Sequence, residues 1–387
     1  MGRVERMLRV LAAVATVLAV GGVTALQART FVYVANPDGG HIVSFRLDED
    51  TGDLVPLKTV EAGKVVTPMA VSPDRRFLYA HVRARPTSVL TYAIDSVTGD
   101  LVRLATVPLP HSAPFVSVDR TGRFLLSVAY GADSLAVSPI SESGLVLGEA
   151  VQVLRTGKQP HAVLADPSNR FVYATNLGAD RLEQFVFDEK TGLLRPNDPA
   201  AVVFPPGTGP RHFRFAPNGR SVYVLSESQG TVTRLSVDAA TGLLAVAESV
   251  SAVPASLGLA PGKPHDGRSA AGQAAESPDT RPAIWAADLH LAPNGRFLYA
   301  SERSSSTLAV FTVEPGTGRL TYVKSVPTEA QPRGFRIDTR GNFLICAGEK
   351  SSDLSVFRID QASGDLTLLK RYPVGPSASW IEIVDLH

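Results

Sequence analysis

Apolar and polar positions alternate along this chain in short runs, and the runs recur. The stretch from Pro210 to Glu227 is the clearest unit. Phe213 and Phe215 flank Arg214, which gives the period of two of a half-buried strand. Asn218-Gly219 follows. This dipeptide predicts a tight hairpin, whose favoured two-residue turn holds both residues at positive φ. Val222-Tyr223-Val224-Leu225 is a β-rich return strand. The pattern appears six times. Its Gly-Arg pair, or the pair standing in for it, falls at Arg75-Arg76, Gly122-Arg123, Asn169-Arg170, Gly219-Arg220, Gly295-Arg296 and Gly341-Asn342, at spacings of 47, 47, 50, 76 and 46 residues. A third strand follows each hairpin, as in Val89 to Ile94 and Leu308 to Phe311. Most copies then carry an acidic residue and a Thr-Gly or Ser-Gly turn, as in Asp95 with Thr98-Gly99 and Asp360 with Ser363-Gly364. A fourth short strand completes the unit.

Four strands repeating at this period predict an all-β fold, a β-propeller with four-stranded blades. Six units are complete between about residues 66 and 376. Phe31 to Val60 supplies three more strands without an innermost one, and Ser379 to Val384 supplies one strand left over. Joined, they make a seventh blade and close the ring, leaving no long exposed edge. The spacing of 76 marks an insertion, taken as residues 255–282 and rich in Pro, Gly, Ala and Ser. It reads equally as a tolerated surface loop and as a lid over one face. His265 and Asp266 within it are expected to be solvated.

Composition narrows the function. At 387 residues the chain exceeds one ordinary compact core, which a closed repeat array accommodates. Its net charge of +1 gives no electrostatic reason for a nucleic-acid partner. The single cysteine, Cys346, precludes an intrachain disulfide and sits in a β-like run, as an inert packed residue would. The N-terminus stands apart. Arg3, Arg6 and Arg9 precede an apolar stretch of ten residues, Leu11 to Val20, and then small residues. That is the plan of a secretory signal, residues 1–28, with cleavage expected after Ala28 and Ala25 as the alternative. The run is short for a spanning helix, so a periplasmic or secreted mature protein, residues 29–387, without stable membrane insertion is expected.

Strand order places the chemistry. Connections between blades enter the innermost strand on one face of the disc, and the second strand returns to that face. Entry positions are Thr67, Pro114, His161, Arg211, Ala287 and Arg333, followed by Pro68, Phe115, Ala162, His212, Asp288 and Gly334. Return positions are Arg83, Tyr130, Leu177, Glu227, Arg303 and Glu349, with Lys350 next. The later blades thus gather charge on one side of the ring. Val163, Phe213, Leu289 and Phe335 are apolar and read as packing. Excess Arg and Lys around a His and a Glu suits an anionic substrate, since guanidinium forks bind carboxylate or phosphate. A His or Glu base and an Arg for an oxyanion are the parts of ester or lactone hydrolysis. Charges lining a ring also serve contacts between blades, and for any one residue the two readings weigh alike. No helical His spacing, phosphate-cradling loop, Gly-x-Ser-x-Gly elbow or haem-attachment motif is present, so no metal and no cofactor are expected.

Several long motifs resemble the bacterial 6-phosphogluconolactonase family of seven-bladed propellers. They are Gly209-Pro210-Arg211-His212-Phe213, Trp285-Ala286-Ala287-Asp288-Leu289-His290, Ser301-Glu302-Arg303, Pro332-Arg333-Gly334-Phe335 and Ala347-Gly348-Glu349-Lys350. The resemblance covers about residues 30 to 387. It implies hydrolysis of a sugar-acid lactone, 6-phosphogluconolactone or an aldonolactone, at one face of the channel. It implies His161, Arg211, Glu227 and Arg303 as catalytic residues, with His212, Asp288, Arg333 and Lys350 as substrate contacts. Some relatives carry a second His two residues after the first, where Val163 stands here. The signal is a second departure, since an exported relative need not meet a cytoplasmic phosphosugar. The alternatives are a non-catalytic periplasmic propeller that binds a ligand or protein, and a lactone-forming cycloisomerase.

Overall fold

The computed structural model describes residues 29–263 and 280–386. The expected signal, 1–28, and His265 and Asp266 lie outside the described residues. Seven four-stranded antiparallel sheets form the ring. Blades 1 to 6 are residues 66–108, 115–155, 160–203, 210–251, 286–327 and 332–373. Blade 7 joins the termini: Trp380–Leu386 is its innermost strand and pairs with Arg29–Asn36, from Ala35 opposite Trp380 to Arg29 opposite Leu386. The expected closure is therefore observed, and every blade has its four strands.

The recurring turn differs in type from the expectation. Ala216 O accepts from Gly219 N at 2.9 Å, and Ala216 N donates to Ser221 O at 2.8 Å. Gly219 has φ +68, whereas Asn218 is absent from the residues at positive φ. The loop is thus a type I turn followed by one left-handed residue, a longer hairpin than the two-residue form. Arg75 and Asn169 hold that left-handed place in blades 1 and 3, with φ of 61° and 59°.

The two repeated signatures turn out to be halves of one latch. The aromatic residue that opens each second strand packs on the glycine of the next blade's outer turn. A Cβ on Gly99 would lie 2.2 Å from the Phe31 ring; Gly144 meets Phe77, Gly192 meets Phe124, Gly242 meets Phe171, Gly364 meets Phe297, and Gly52 meets Phe343. The last pair and the first run through blade 7, so the latch includes the blade that joins the termini. In five seams a tyrosine two residues on donates to the same glycine's carbonyl, as Tyr33 does to Gly99 at 2.8 Å and Tyr299 to Gly364 at 2.8 Å. The turn arginine stacks over that phenylalanine, Arg170 at 5.1 Å from the Phe171 centroid, and donates to the neighbouring blade's main chain at Ala239 O. Blade 4 departs, with Ser221 where the others carry phenylalanine.

The described ends of the 255–282 insertion sit on the entry face. Ala260 N donates to Pro282 O at 2.9 Å, and Gly262 N to Ser228 O at 2.7 Å. Ser228 adjoins Glu227, so the insertion departs beside the charged residues.

Two glycines test the latch. Gly242→Ala places a methyl 2.3 Å from the Phe171 ring at a φ of +71; strain and overpacking together cost about 2–4 kcal/mol. Gly316→Ala, at φ +86 with nothing within 4 Å, carries only the backbone term, about 1–2 kcal/mol. Thermal unfolding is expected to rank Gly242→Ala well below Gly316→Ala, and equal midpoints would refute the packing account.

Candidate active site at the entry face

The innermost strands are irregular where the charges stand. In blade 3 Pro160 pairs with Asn176 and Ala162 with Thr175, which leaves His161 as the extra residue of a β-bulge. Arg211 is skipped between Pro210 and His212 in blade 4, and Arg333 between Pro332 and Gly334 in blade 6. In blade 5 Ala287 and Asp288 together lie opposite Ser301. A regular strand sends neighbours to opposite faces. The bulge suspends that alternation, so Arg211 and His212 both serve the channel.

Arg211 is the hub. It is 1% exposed. Its Nε donates to Glu227 Oε2 at 2.8 Å, and its Nη1 donates to the Ala287 carbonyl and to His212 Nε2, the latter at 3.2 Å. Arg303 Nη2 reaches the same Glu227 oxygen at 2.9 Å. Arg303 also donates to Trp285 O at 3.0 Å and stacks 3.7 Å above the Trp285 ring. Arg333 Nη1 donates to Glu349 Oε1 at 2.8 Å. Arg83 is half-buried, donates to Ser112 Oγ at 3.3 Å, and has no carboxylate within 4.0 Å among the described residues. Burial pushes the Arg83 guanidinium down, and Arg333 adds to the effect. Burial opposes ionisation of Glu349, yet Arg333, Arg303 and Arg211 hold its carboxyl below the usual range.

A second tier fills the channel toward the turn face. Asp288 Oδ1 accepts from His212 Nδ1 at 2.8 Å, from Arg214 at 3.4 Å and from Leu289 N at 2.9 Å; Oδ2 accepts from His290 Nε2 at 3.1 Å. Arg336 pairs with both oxygens of Glu382, at 2.6 and 2.7 Å, and Trp380 Nε1 donates to Glu382 at 2.8 Å. Burial, with Arg211 nearby, lowers the His212 pKa to about 3, although Asp288 pulls the other way. Burial also lowers His290 to about 3 against the pull of Asp288.

His161 differs from its neighbours. It is 5% exposed, and its Nδ1 is buried without a hydrogen-bond partner. Its ring lies 5.1 Å from His212 and 6.0 Å from Tyr130, centroid to centroid. Burial, then Arg211, His212, Arg333 and Arg303, hold it well below the usual histidine range, so it is neutral. Unsatisfied buried polar atoms are uncommon and point to a strained or functional site.

The structure thus brings together His161, Arg211, His212, Glu227, Asp288, Arg303 and Arg333. Lys350 is exposed at the rim and apart from that network. Arg214, His290, Arg336 and Glu382 were not anticipated as channel residues. For Arg214, His290 and Arg336 the signal lay in the repeat, since each sits three places past the entry position of its innermost strand. Among the described residues no group of three or more His, Cys, Asp and Glu is arranged to hold a metal, and no helix is long and apolar enough to cross a membrane.

Comparison with known proteins agrees with the seven-bladed ring. A family model described as lactonase, seven-bladed β-propeller, matches residues 18–383. The chain is 37% identical over 356 residues to a 6-phosphogluconolactonase of Serratia proteamaculans, covering 92% of this chain and 99% of that protein. It is 39% identical to the Pectobacterium carotovorum 6-phosphogluconolactonase over 92% of this chain and 98% of the relative. Among solved structures, the periplasmic gluconolactonase of Pseudomonas aeruginosa superimposes with a TM-score of 0.79 at 25% identity, covering 93% of this chain and all of that one.

Neutral burial of histidine makes stability depend on pH. His81 and His111 are lowered to about 4, both chiefly by burial; with His161, His212 and His290 they stay neutral well below pH 6.5. In the unfolded chain each takes a proton as pH falls through about 6.5. The unfolded state therefore binds more protons between pH 6.5 and 4, and stability falls with pH across that window by about 1.4 kcal/mol per unit for each such imidazole. Melting temperature is expected to be flat from pH 7 to 8 and to drop steeply below 6. A midpoint unchanged at pH 4.5 contradicts the neutral assignment.

Proposed function

This chain belongs to the lactonase family of seven-bladed β-propellers, and from that premise we propose that it hydrolyses an anionic sugar-acid lactone at the entry face of its channel. The observation that carries the reading is the neutral, unpartnered His161 Nδ1 beside a surplus of guanidinium. Arg83, Arg211, Arg303 and Arg333 face Glu227 and Glu349, four cations against two carboxylates. Two positive charges are left for a substrate to neutralise. Relatives named for lactone hydrolysis favour this reading over ring formation or a purely binding role.

The roles follow from the atoms. His161 takes a proton from water as its oxygen attacks the lactone carbonyl carbon. The carbonyl π pair moves onto oxygen, and Arg211 and Arg303 hold the resulting oxyanion. When it collapses the ring C–O bond breaks, and the imidazolium returns the proton to the leaving alkoxide. Glu227 holds Arg211 and Arg303 on one oxygen, so it fixes the two cations as one unit. Arg333, with Arg83, receives the charged end of the substrate.

We place the reaction outside the cytoplasm, on the basic and apolar pattern of residues 1–28. There the charge surplus favours lactones that carry a phosphate or a second carboxylate over neutral aldonolactones such as gluconolactone.

Hydrolysis of 6-phosphogluconolactone and gluconolactone, corrected for spontaneous opening, tests the reading. His161→Gln is expected to lower kcat by about 100- to 1000-fold with KM little changed, the loss of a general base. Arg333→Ala is expected to raise KM for the charged lactone about tenfold or more with a smaller effect on kcat. Wild-type rates no faster than spontaneous opening for every lactone tried would sink the hydrolase assignment.

A further inference from the structure

His212 and Asp288 stand among the charges, yet the polar atoms of both are already engaged within the protein. Asp288 receives four donors: His212, Arg214, Leu289 N and His290. His212 is 2% exposed, and both ring nitrogens are engaged, Nδ1 with Asp288 and Nε2 with Arg211. Its faces and edges are packed by Phe115 at 5.2 Å, His161 at 5.1 Å and Trp380 at 6.1 Å between centroids. A direct substrate contact has no room there.

We propose that His212 and Asp288 are positioning residues for Arg211: Asp288 fixes the His212 tautomer, and the Nε2 lone pair that results anchors Arg211 Nη1. The inference rests on the lactonase reading only for the task given to Arg211.

The logic is one of donors and acceptors. An ionised Asp288 accepts only, so His212 Nδ1 at 2.8 Å carries the hydrogen. A neutral imidazole then has its lone pair on Nε2, and a guanidinium N–H at 3.2 Å points to it. The same carboxylate sets His290 the opposite way: Nε2 donates to Asp288 at 3.1 Å, and Nδ1 faces Arg214 and Arg336, each at 3.5 Å. A carboxylate in place of His212 would also hold Arg211 but would cancel its charge. A neutral imidazole fixes the direction of the guanidinium and leaves its charge for the substrate. The shape of the site therefore depends on a proton held one residue away from any reacting atom.

The test combines kinetics with spectroscopy on the full chain. His212→Phe keeps the ring and removes the acceptor; kcat is expected to fall about 10- to 100-fold. His212→Gln returns an acceptor near the Nε2 place and is expected to stay within about fivefold of wild type. In an Arg211→Lys background, His212→Phe is expected to add less than about a twofold effect, because both changes act through one group. Additive losses in that cycle, or equal losses for Phe and Gln, would overturn the proposal. Nitrogen-15 NMR of histidine-labelled protein gives a readout independent of turnover. His212 faces Asp288 and His290 on one strand, Arg211 and Arg214 on its own, and His161 on another. Its Nδ1 is expected to be protonated and Nε2 unprotonated from pH 5 to 8, with the tautomers mixing in Asp288→Asn. An Nε2–H tautomer or an imidazolium in the wild type overturns the proposal even if His212→Phe does not fold. Failure of every lactone to turn over would remove the hydrolase reading and leave the tautomer result standing.

Discussion

Burying arginines faster than carboxylates can answer them is the constraint on which this molecule turns. Arg211, Arg214, Arg303, Arg333 and Arg336 converge on the channel, with Glu227, Asp288, Glu349 and Glu382 as their carboxylates. An unpaired buried charge is strongly destabilising. Three devices meet the demand without neutralising it. One Glu227 oxygen serves two guanidinium groups. Main-chain carbonyls at Ala287, Trp285, Ala286 and Ile381 take further N–H donors. Neutral imidazoles supply the remaining acceptors, oriented by Asp288. The result is a site that keeps net positive charge, which favours an anion at the entry face of the channel.

Fold and site divide the labour by radius. At six of the seven seams the outer part of a blade is held to the next by the aromatic–glycine latch, and at the seam after blade 4 Tyr223 alone reaches the turn glycine. Closure so secured does not depend on ideal pairing in the innermost strands. Those strands carry the bulges that re-aim His161, Arg211, Arg333 and Asp288. A bulge leaves a residue outside the ladder, and the Ala287 carbonyl, in the blade 5 bulge, is the one that receives Arg211. The irregularity therefore creates the acceptor as well as the direction.

The repeat made the ring legible before any coordinates. Glycine-arginine turns, the FLYA-like strands and the lone terminal strand give the blade number and the closure, because each is a local rule applied many times. Entry and return positions followed from strand order, and His161, Arg211, Glu227 and Arg303 do converge. The second tier is legible only as a recurring position three places past the entry residue, with nothing local to mark it. Arg214, His290 and Arg336 sit among apolar neighbours in one strand, and period-two reasoning assigns them to a solvated face. In a propeller that face is the channel, shared by strands far apart in sequence. Nor does a sequence say which of two adjacent residues a bulge will turn, so Asp288 and His212 read as substrate contacts, whereas the structure shows His212 bonded to Asp288 and Arg211, and Asp288 to His212, Arg214 and His290. The latch was half legible: both signatures were visible, but their pairing spans neighbouring blades, as Phe31 with Gly99 does.

The suppressed basicity of His161 completes the argument. In the free site, burial and the surrounding arginines keep it neutral and oppose its protonation. On the proposed role it must become an imidazolium during the attack, which that positive field resists. An anionic substrate changes the sign of the resistance, since its charge, and then the oxyanion, lie among the same arginines and compensate them. The cation surplus and the weak base are then one device: the proton transfer becomes favourable only when negative charge occupies the site. Such coupling makes selectivity for charged lactones appear in kcat as well as in KM, because the charge acts on the transition state and not on binding alone. A neutral lactone of the same shape bound at the entry face leaves His161 too weak a base to open it.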